Sequence, residues 1–387
     1  MNKLNNYALG RIPQIFGGPG ALSHLPEVLR QSGSSSVVVI ADGAVEKHGF
    51  LERLRAVLPQ MQTFVVAPGE PTCAETNRAA DFARAFAQPL IVGVGGGSTL
   101  DIAKQVAAVI RAPQGIEHYL LCAHPFAGRA ALVTVPTTSG TGAEVTRTCV
   151  VSDDAGRKLW TWGEELLPDA VILDPQVTSS MPSFVTAATG LDALVHAIEA
   201  ATSQRRNQIA ASMALHAIRL IRGALPRAVR DGTDLLARQQ MQEAALLAGI
   251  AIDYCGTGIA HNIGHALGTL YHLPHGVAVT VALEASMPWN LREGQAYRAV
   301  AEAFGVAVEG LSGALSALLD EVGLNEAVSR SPEVVIDAGV LARTMRAPEN
   351  LPMLSNNARV AQGGDDLHLA QQTATLWQQR WGVPAHV

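Results

Sequence analysis

Several things are scarce in this chain of 387 residues, and each scarcity narrows what the protein can be. No run of Lys or Arg exceeds a pair and the formal net charge is -6, which argues against nucleic acid or an anionic membrane surface as partner. No apolar segment reads as the roughly 18 residues a bilayer span requires, and the opening Met1-Asn-Lys-Leu-Asn-Asn starts no stretch of signal-peptide type. A cytoplasmic protein with a small-molecule partner is expected. There are only four cysteines, Cys73, Cys122, Cys149 and Cys255, scattered with no C-x-x-C pair, so a disulfide framework is not expected. Internal repeats and low-complexity linkers are also missing. What remains, 48% hydrophobic residues with 36 glycines, implies a large buried core and two domains.

The first half alternates short β-branched runs with helical stretches. Val37 to Ile40, Phe64 to Val66, Leu90 to Val94, Leu132 to Val135 and Val171 to Leu173 read as strands, with Ala79 to Phe86 as an intervening helix. That rhythm implies a mainly parallel sheet covered by helices on both faces, with ligands outside the carboxyl ends of its strands. Val145 to Val151 and Lys158 to Trp162 flank Asp153-Asp154-Ala155-Gly156 and read as a hairpin, with Trp160 and Trp162 on one face. After Met181-Pro182-Ser183, Ala, Leu, Arg, Gln and Glu dominate, so the second half should be helical. The expected division is an α/β domain over 1–181 and an all-helical domain over 182–387. Ala347 to Asp366, rich in Asn, Gly and Pro, reads as an irregular surface connection before a last helix.

Gly93-Val94-Gly95-Gly96-Gly97-Ser98 follows a strand and opens a helical stretch from Leu100 to Ile110. Glycines let backbone approach a ligand closely, and a helix N-terminus directs free N–H groups and a positive dipole end at an anion such as pyrophosphate. A glycine-rich turn alone is equally compatible with a plain strand-to-helix connection. Thr137, Thr138, Ser139 and Thr141 form a second loop of small hydroxyls at the end of a neighbouring strand. Asp42, just past the first strand, can accept from an adenosine ribose and would repel a 2′-phosphate, which favours NAD over NADP; the competing reading is a turn-forming Asp-Gly.

Four of the 12 histidines fall between His261 and His275. Asp192 and His196 stand four residues apart on one helical face, His261 and His265 on another, and His275 lies in a Pro-His-Gly turn. One carboxylate with several imidazoles makes a site for one divalent ion, with one member of the second group left over. Without thiolates the set suits iron(II), zinc or manganese holding an open position for substrate, more than a structural zinc. His272 reads as a loop residue. Glu199, one turn beyond His196, suits a partner to the ligands and a solvated face equally.

Together, Gly95-Gly-Gly-Ser-Thr-Leu-Asp101-Ile-Ala-Lys104, Pro136-Thr-Thr-Ser-Gly-Thr-Gly-Ala-Glu144-Val-Thr146, Gly190-Leu-Asp192-Ala-Leu-Val-His196-Ala-Ile-Glu199 and His261 to Gly276 resemble the iron-containing (group III) alcohol dehydrogenases. The likeness runs from about Ile12 to the last helix. It implies a Rossmann-like nucleotide-binding domain, an all-α C-terminal domain and a cleft between them. It makes Asp192, His196, His261 and His275 ligands of Fe2+, with Zn2+ as the alternative, and His265 the unligated histidine that relays a proton. Contacts to NAD, or to NADP as the alternative, would come from Asp42, Gly96, Gly97, Ser98, Asp101, Thr137, Thr138 and Lys158. The activity implied is reversible hydride transfer between nicotinamide and a small alcohol or aldehyde, by a homodimer or higher homo-oligomer. Two other readings share the plan, a maleylacetate-reductase-like enzyme and a 3-dehydroquinate-synthase-like cyclase using NAD and a metal. The second would need a basic pocket, and Arg and Lys are absent from Leu247 to Val279. Ile252, Asp253, Tyr254 and Leu283-Glu284-Ala285 depart from frequent family patterns, so the substrate pocket does not carry over.

Overall fold

The computed structural model describes residues 6–67, 69–330 and 333–381; the N-terminal segment considered above lies, up to Asn5, outside them. The chain forms two compact units, one of Gly10–Met181 with Gly232–Leu246, the other mainly of Pro182–Asp231 and the chain from Leu247 onward.

The first unit is built on six parallel strands in the order β1-β8-β5-β4-β2-β3. They are β1 (Gln14–Gly17), β2 (Ser36–Asp42), β3 (Gln62–Val66), β4 (Pro89–Gly95), β5 (Ala131–Pro136) and β8 (Ala170–Leu173), and a separate antiparallel pair is β6 (Thr148–Ser152) with β7 (Lys158–Trp162). Helices α1 (Leu25–Ser32), α2 (Gly43–Lys47), α3 (Phe50–Val57), α4 (Cys73–Arg84) and α5 (Gly97–Val109) cover the sheet. A parallel sheet is buried on both faces, and the central strands show it: every residue of β4 is buried, as are five of six in β5. Alternate side chains feed two cores. Val38, Ile40, Ile91 and Leu132 pack with α4 and α5, while Val37, Val39, Val92 and Val133 pack with the residues of α1 and α3. Each large aliphatic so buried contributes about 1.5–3 kcal/mol.

Glycine decides how near α5 lies to the sheet. A Cβ on Gly93 would sit 2.7 Å from Ala103 Cβ, and one on Gly95 would sit 2.6 Å from Thr99 Cβ. The β6–β7 pair has one covered face, so burial alternates along it. Trp160 and Trp162 do share a face, but it is the outer one, where the Arg147 guanidinium lies over the Trp162 ring. The hairpin begins at Thr148 instead of Val145, because Val145 N–H closes a turn onto Gly142 O.

Among the described residues every element after Asp174 is helical. These are α6 (Ser183–Thr202), α7 (Gln208–Arg230), α8 (Leu235–Cys255), α9 (Ile259–Tyr271), α10 (His275–Asn290), α11 (Gly294–Phe304), α12 (Leu311–Glu321), α13 (Leu324–Ser329), α14 (Ala338–Met345), α15 (Leu351–Asn356) and α16 (Asp365–Trp381). The mainly parallel α/β unit and helical remainder are as the sequence implies. Two readings need correction. α6 is long and apolar enough to cross a membrane by length and composition, although most of it is buried within the fold. The segment Ala347 to Asp366 is no mere surface connection: it contains α15, and Asn350, Asn356 and Asn357 are buried.

Candidate cofactor cavity and metal centre

In the sheet unit, the carboxyl ends of β2 and β4 open onto a cavity of about 580 Å³. Asp42, Gly96, Gly97, Ser98 and Thr99 line it, together with Glu70, Thr72 and Arg78. Gly96 caps α5 in an extended conformation with no side-chain bond, which leaves the first N–H groups of the helix free for a ligand. The neighbouring hydroxyl loop is tied to the glycine turn by a bond from Thr137 N–H to Gly95 O at 3.0 Å. A Cβ on Gly97 would meet Thr141 at 2.6 Å, and one on Gly96 would stand 3.5 Å from Thr138 Cγ2. Asp42 Oδ1 accepts from Val45 N–H at 2.9 Å as the cap of α2, and the residue also lines the cavity.

Asp101 and Lys158 stand behind this wall. The Asp101 carboxylate accepts from Val150 N–H at 2.9 Å and pairs with Lys104 at 3.4 Å, so it binds α5 to β6. Lys104, fully buried, also donates to Thr148 O at 2.8 Å and Thr146 Oγ1 at 3.2 Å. Lys158 pairs at 2.9 Å with Glu70, which does line the cavity. Glu144, in the hydroxyl loop, is buried, and desolvation pushes its carboxyl up to about 7 against the pull of Lys104.

The helical unit gathers the other constellation. α6 contributes Asp192 and His196 one turn apart, α9 contributes His261, and α10 contributes His275 as its first residue. From Asp192 Oδ1 the Nε2 atoms of His275, His196 and His261 lie at 3.5, 3.8 and 4.0 Å. One possible ligand atom from each of the four residues lies within 4.8 Å of all the others. Ligands about 2.1 Å from one tetrahedral ion stand roughly 3.4 Å apart, so the set fits a single ion with modest contraction. Asp192 Oδ1 and His261 Nε2 are moreover buried and have no hydrogen-bond partner, a condition a metal would relieve.

Close helix contacts permit this convergence. At Gly276 a Cβ would fall 2.2 Å from Ala188 O, and at Gly264 one would fall 2.6 Å from Val279 Cγ1. Glycine at these two places lets α10 lie directly on α6 and α9, which brings His275 to Asp192.

Glu199 holds the His261 ring. Its Oε2 lies 2.6 Å from His261 Nδ1 and also accepts from Gly258 N–H at 2.8 Å, while Oε1 accepts from Ala260 N–H at 2.6 Å. A carboxylate there assigns the proton to Nδ1 and leaves the Nε2 lone pair to the centre. Burial, and then the adjacent His196, holds the His261 pKa well below the usual imidazole range, so the ring is neutral, as a ligand must be. Burial likewise pushes Glu199 up to about 7, opposed by those amides. His265 sits beside the set, its ring centroid 5.5 Å from that of His275 and 6.0 Å from that of His261. His272 is an exposed residue at the end of α9, as expected of a loop histidine.

The iron-containing alcohol dehydrogenase family model matches residues 13–175, and the C-terminal model of the same family matches 186–332. The 1-propanol dehydrogenase of Citrobacter freundii is 35% identical over 287 residues, 73% of each chain. The NAD-dependent methanol dehydrogenase of Bacillus methanolicus is 31% identical over 311 residues, 79% of this chain and 82% of that one. Among solved structures, the sulfoacetaldehyde reductase of Bifidobacterium kashiwanohense in complex with NAD+ superimposes with a TM-score of 0.84 at 26% identity, covering 97% of this chain and 99% of that one.

Proposed function

Since the chain belongs to the iron-containing alcohol dehydrogenase family, we propose that it interconverts a small alcohol and its aldehyde by hydride exchange with NAD, with Asp192, His196, His261 and His275 holding Fe2+. The observation that carries the metal assignment is the pair of buried, partnerless atoms, Asp192 Oδ1 and His261 Nε2, with two further imidazoles around them. A divalent ion held by this set supplies Lewis acidity toward the alcohol or aldehyde oxygen. His265, next to the four but outside them, takes up the proton that leaves the alcohol and returns it in the reducing direction.

On the sheet unit, the N–H groups at Gly96, Gly97 and Ser98 receive the pyrophosphate, and Asp42 receives the adenosine ribose and disfavours a 2′-phosphate. Thr137 and Thr138 flank the same turn. Asp101 and Lys158 contribute through the β6–β7 pair and Glu70 that they hold. The proposal includes division into domains 1–181 and 182–387, from which the compact units differ in grouping Gly232–Leu246 with the first, a homodimeric or larger assembly and a cytoplasmic location. The relatives named above act on 1-propanol, methanol and sulfoacetaldehyde and another is a long-chain-alcohol dehydrogenase, which supports an alcohol or aldehyde as substrate without selecting its chain length.

The test is anaerobic reconstitution with Fe2+, followed by a screen of alcohols with NAD and aldehydes with NADH. Turnover should vanish on chelation while NADH binding persists. Full activity in rigorously metal-free protein would overturn the ligand assignment and favour the metal-independent reductase reading.

A further inference from the structure

The helix that carries His261 has no cap of its own. Its N-cap is Gly258, which offers no side chain, yet the first turn of α9 is buried, where free N–H groups are costly. Two distant side chains take their place. Glu199 accepts from Gly258, Ala260 and, at 3.4 Å, His261 N–H. The remaining N–H, that of Ile259, donates to Asn357 Oδ1 at 3.2 Å.

Asn357 is buried and fully committed. Its Nδ2 donates to Asn290 Oδ1, at the last residue of α10, at 2.7 Å, and to Arg359 O at 2.9 Å. It therefore joins the start of the His261 helix to the end of the His275 helix. Glycine at 258 is required by the same arrangement, because a Cβ there would stand 2.8 Å from Asn357 Oδ1 and 3.1 Å from Glu199 Oε1. Arg359, two residues on, is itself fixed by stacking on Trp289 at 4.4 Å.

We infer that Asn357 is a positioning residue of the metal centre. By closing the last free N–H of α9 and holding it to α10, it fixes the rotation of α9 and hence the direction of His261 Nε2. The inference rests on the proposed ligand set and extends it to a segment nearly a hundred residues away.

The test uses the full chain and Zn2+ or Co2+ alone as probes. Metal affinity is read by competition with a chromophoric chelator, geometry by the visible absorption of the Co2+ form, and stability by thermal unfolding of the metal-free form. Asn357→Ala should raise the Zn2+ Kd on the order of 10-fold or more and change the Co2+ spectrum. Thr373→Ala removes a buried side chain of α16 that bonds Leu369 O, and it should lower Tm while leaving Kd and spectrum as in the wild type. If Asn357→Ala does not fold, Asn357→Asp decides, since it keeps the acceptor for Ile259 but turns an oxygen toward Asn290 Oδ1 and Arg359 O. A folded Asn357 variant with wild-type Kd and spectrum overturns the inference. A wild type that binds neither ion overturns the ligand set itself, and the inference with it.

Discussion

His261 Nδ1 stands 2.6 Å from Glu199 Oε2, and the same carboxylate grips the backbone at Gly258 and Ala260, so one side chain orients both the imidazole and the helix that bears it. Replacing Glu199 with Gln keeps the shape and puts an amide where the acceptor was. Metal affinity should then fall roughly 10–100-fold. Unchanged metal content after dialysis against a weak chelator would show that the ring is held by packing alone.

His261 and His265 should part company when each is changed to Ala. The first lies among the four converging residues and the second beside them, so His261→Ala and His275→Ala should lose metal as well as rate. His265→Ala should retain metal, with kcat reduced on the order of 10²-fold and its pH dependence altered. Elemental analysis with kcat decides. Loss of metal from His265→Ala and its retention in His261→Ala would shift the assignment by one helical turn.

The cap that Asp42 provides and the ribose role proposed for it can be separated by substitution. Asp42→Ser keeps an oxygen to cap α2 at Val45 and removes the charge, whereas Asp42→Ala removes both. Both should improve the ratio of NADP to NAD use in kcat/KM, and only the alanine variant should lose the cap's contribution of about 1 kcal/mol. A wild type that prefers NADP would contradict the ribose role.

Glu144 should make stability depend on pH. Its carboxyl, which ordinarily ionises near 4.5, is pushed up to about 7 in the fold because burial disfavours the charge. The folded state therefore holds the proton more tightly, and this contribution is full below pH 4.5 and is lost as pH rises through 7. The difference is about 3 kcal/mol. Because Glu199 is raised to about 7 as well, Glu144→Gln should remove one of two such contributions, making the denaturation midpoint fall less steeply across that window and gaining stability at pH 8. A variant with the wild-type pH profile would assign the dependence to another group.

Much of the fold was legible because a parallel sheet buries both faces and so writes unbroken β-branched runs, as in Val37 to Ile40 and Leu90 to Val94. β1 escaped for the converse reason: it is a four-residue edge strand with little buried side chain. α4 begins at Cys73, capped by Thr72, although its apolar periodicity is visible only from Ala79. At the centre, residue type and i,i+4 spacing exposed Asp192, His196 and the histidines. Glu199 was legible only as one of two equal readings, and the contacts of Asn357 were not visible. Asparagine reads locally as turn or loop, and the partner that buries Asn357, Ile259 N–H, lies 98 residues away in sequence.

The length and apolarity of α6 coexist with Asp192, His196 and Glu199 along its buried side. Two polar atoms at the resulting centre, Asp192 Oδ1 and His261 Nε2, have no protein partner, and each such atom costs about 1–3 kcal/mol when left unsatisfied. An ion that satisfies them stabilises the folded form by an amount that rises with the logarithm of the free ion concentration above Kd. The enzyme's lifetime in a cell is then coupled to nutrition: iron-starved cells should degrade it faster than iron-replete cells that synthesise it at the same rate. Pulse-chase decay under the two regimes measures this, and equal half-lives would mean that the centre stands without its ion.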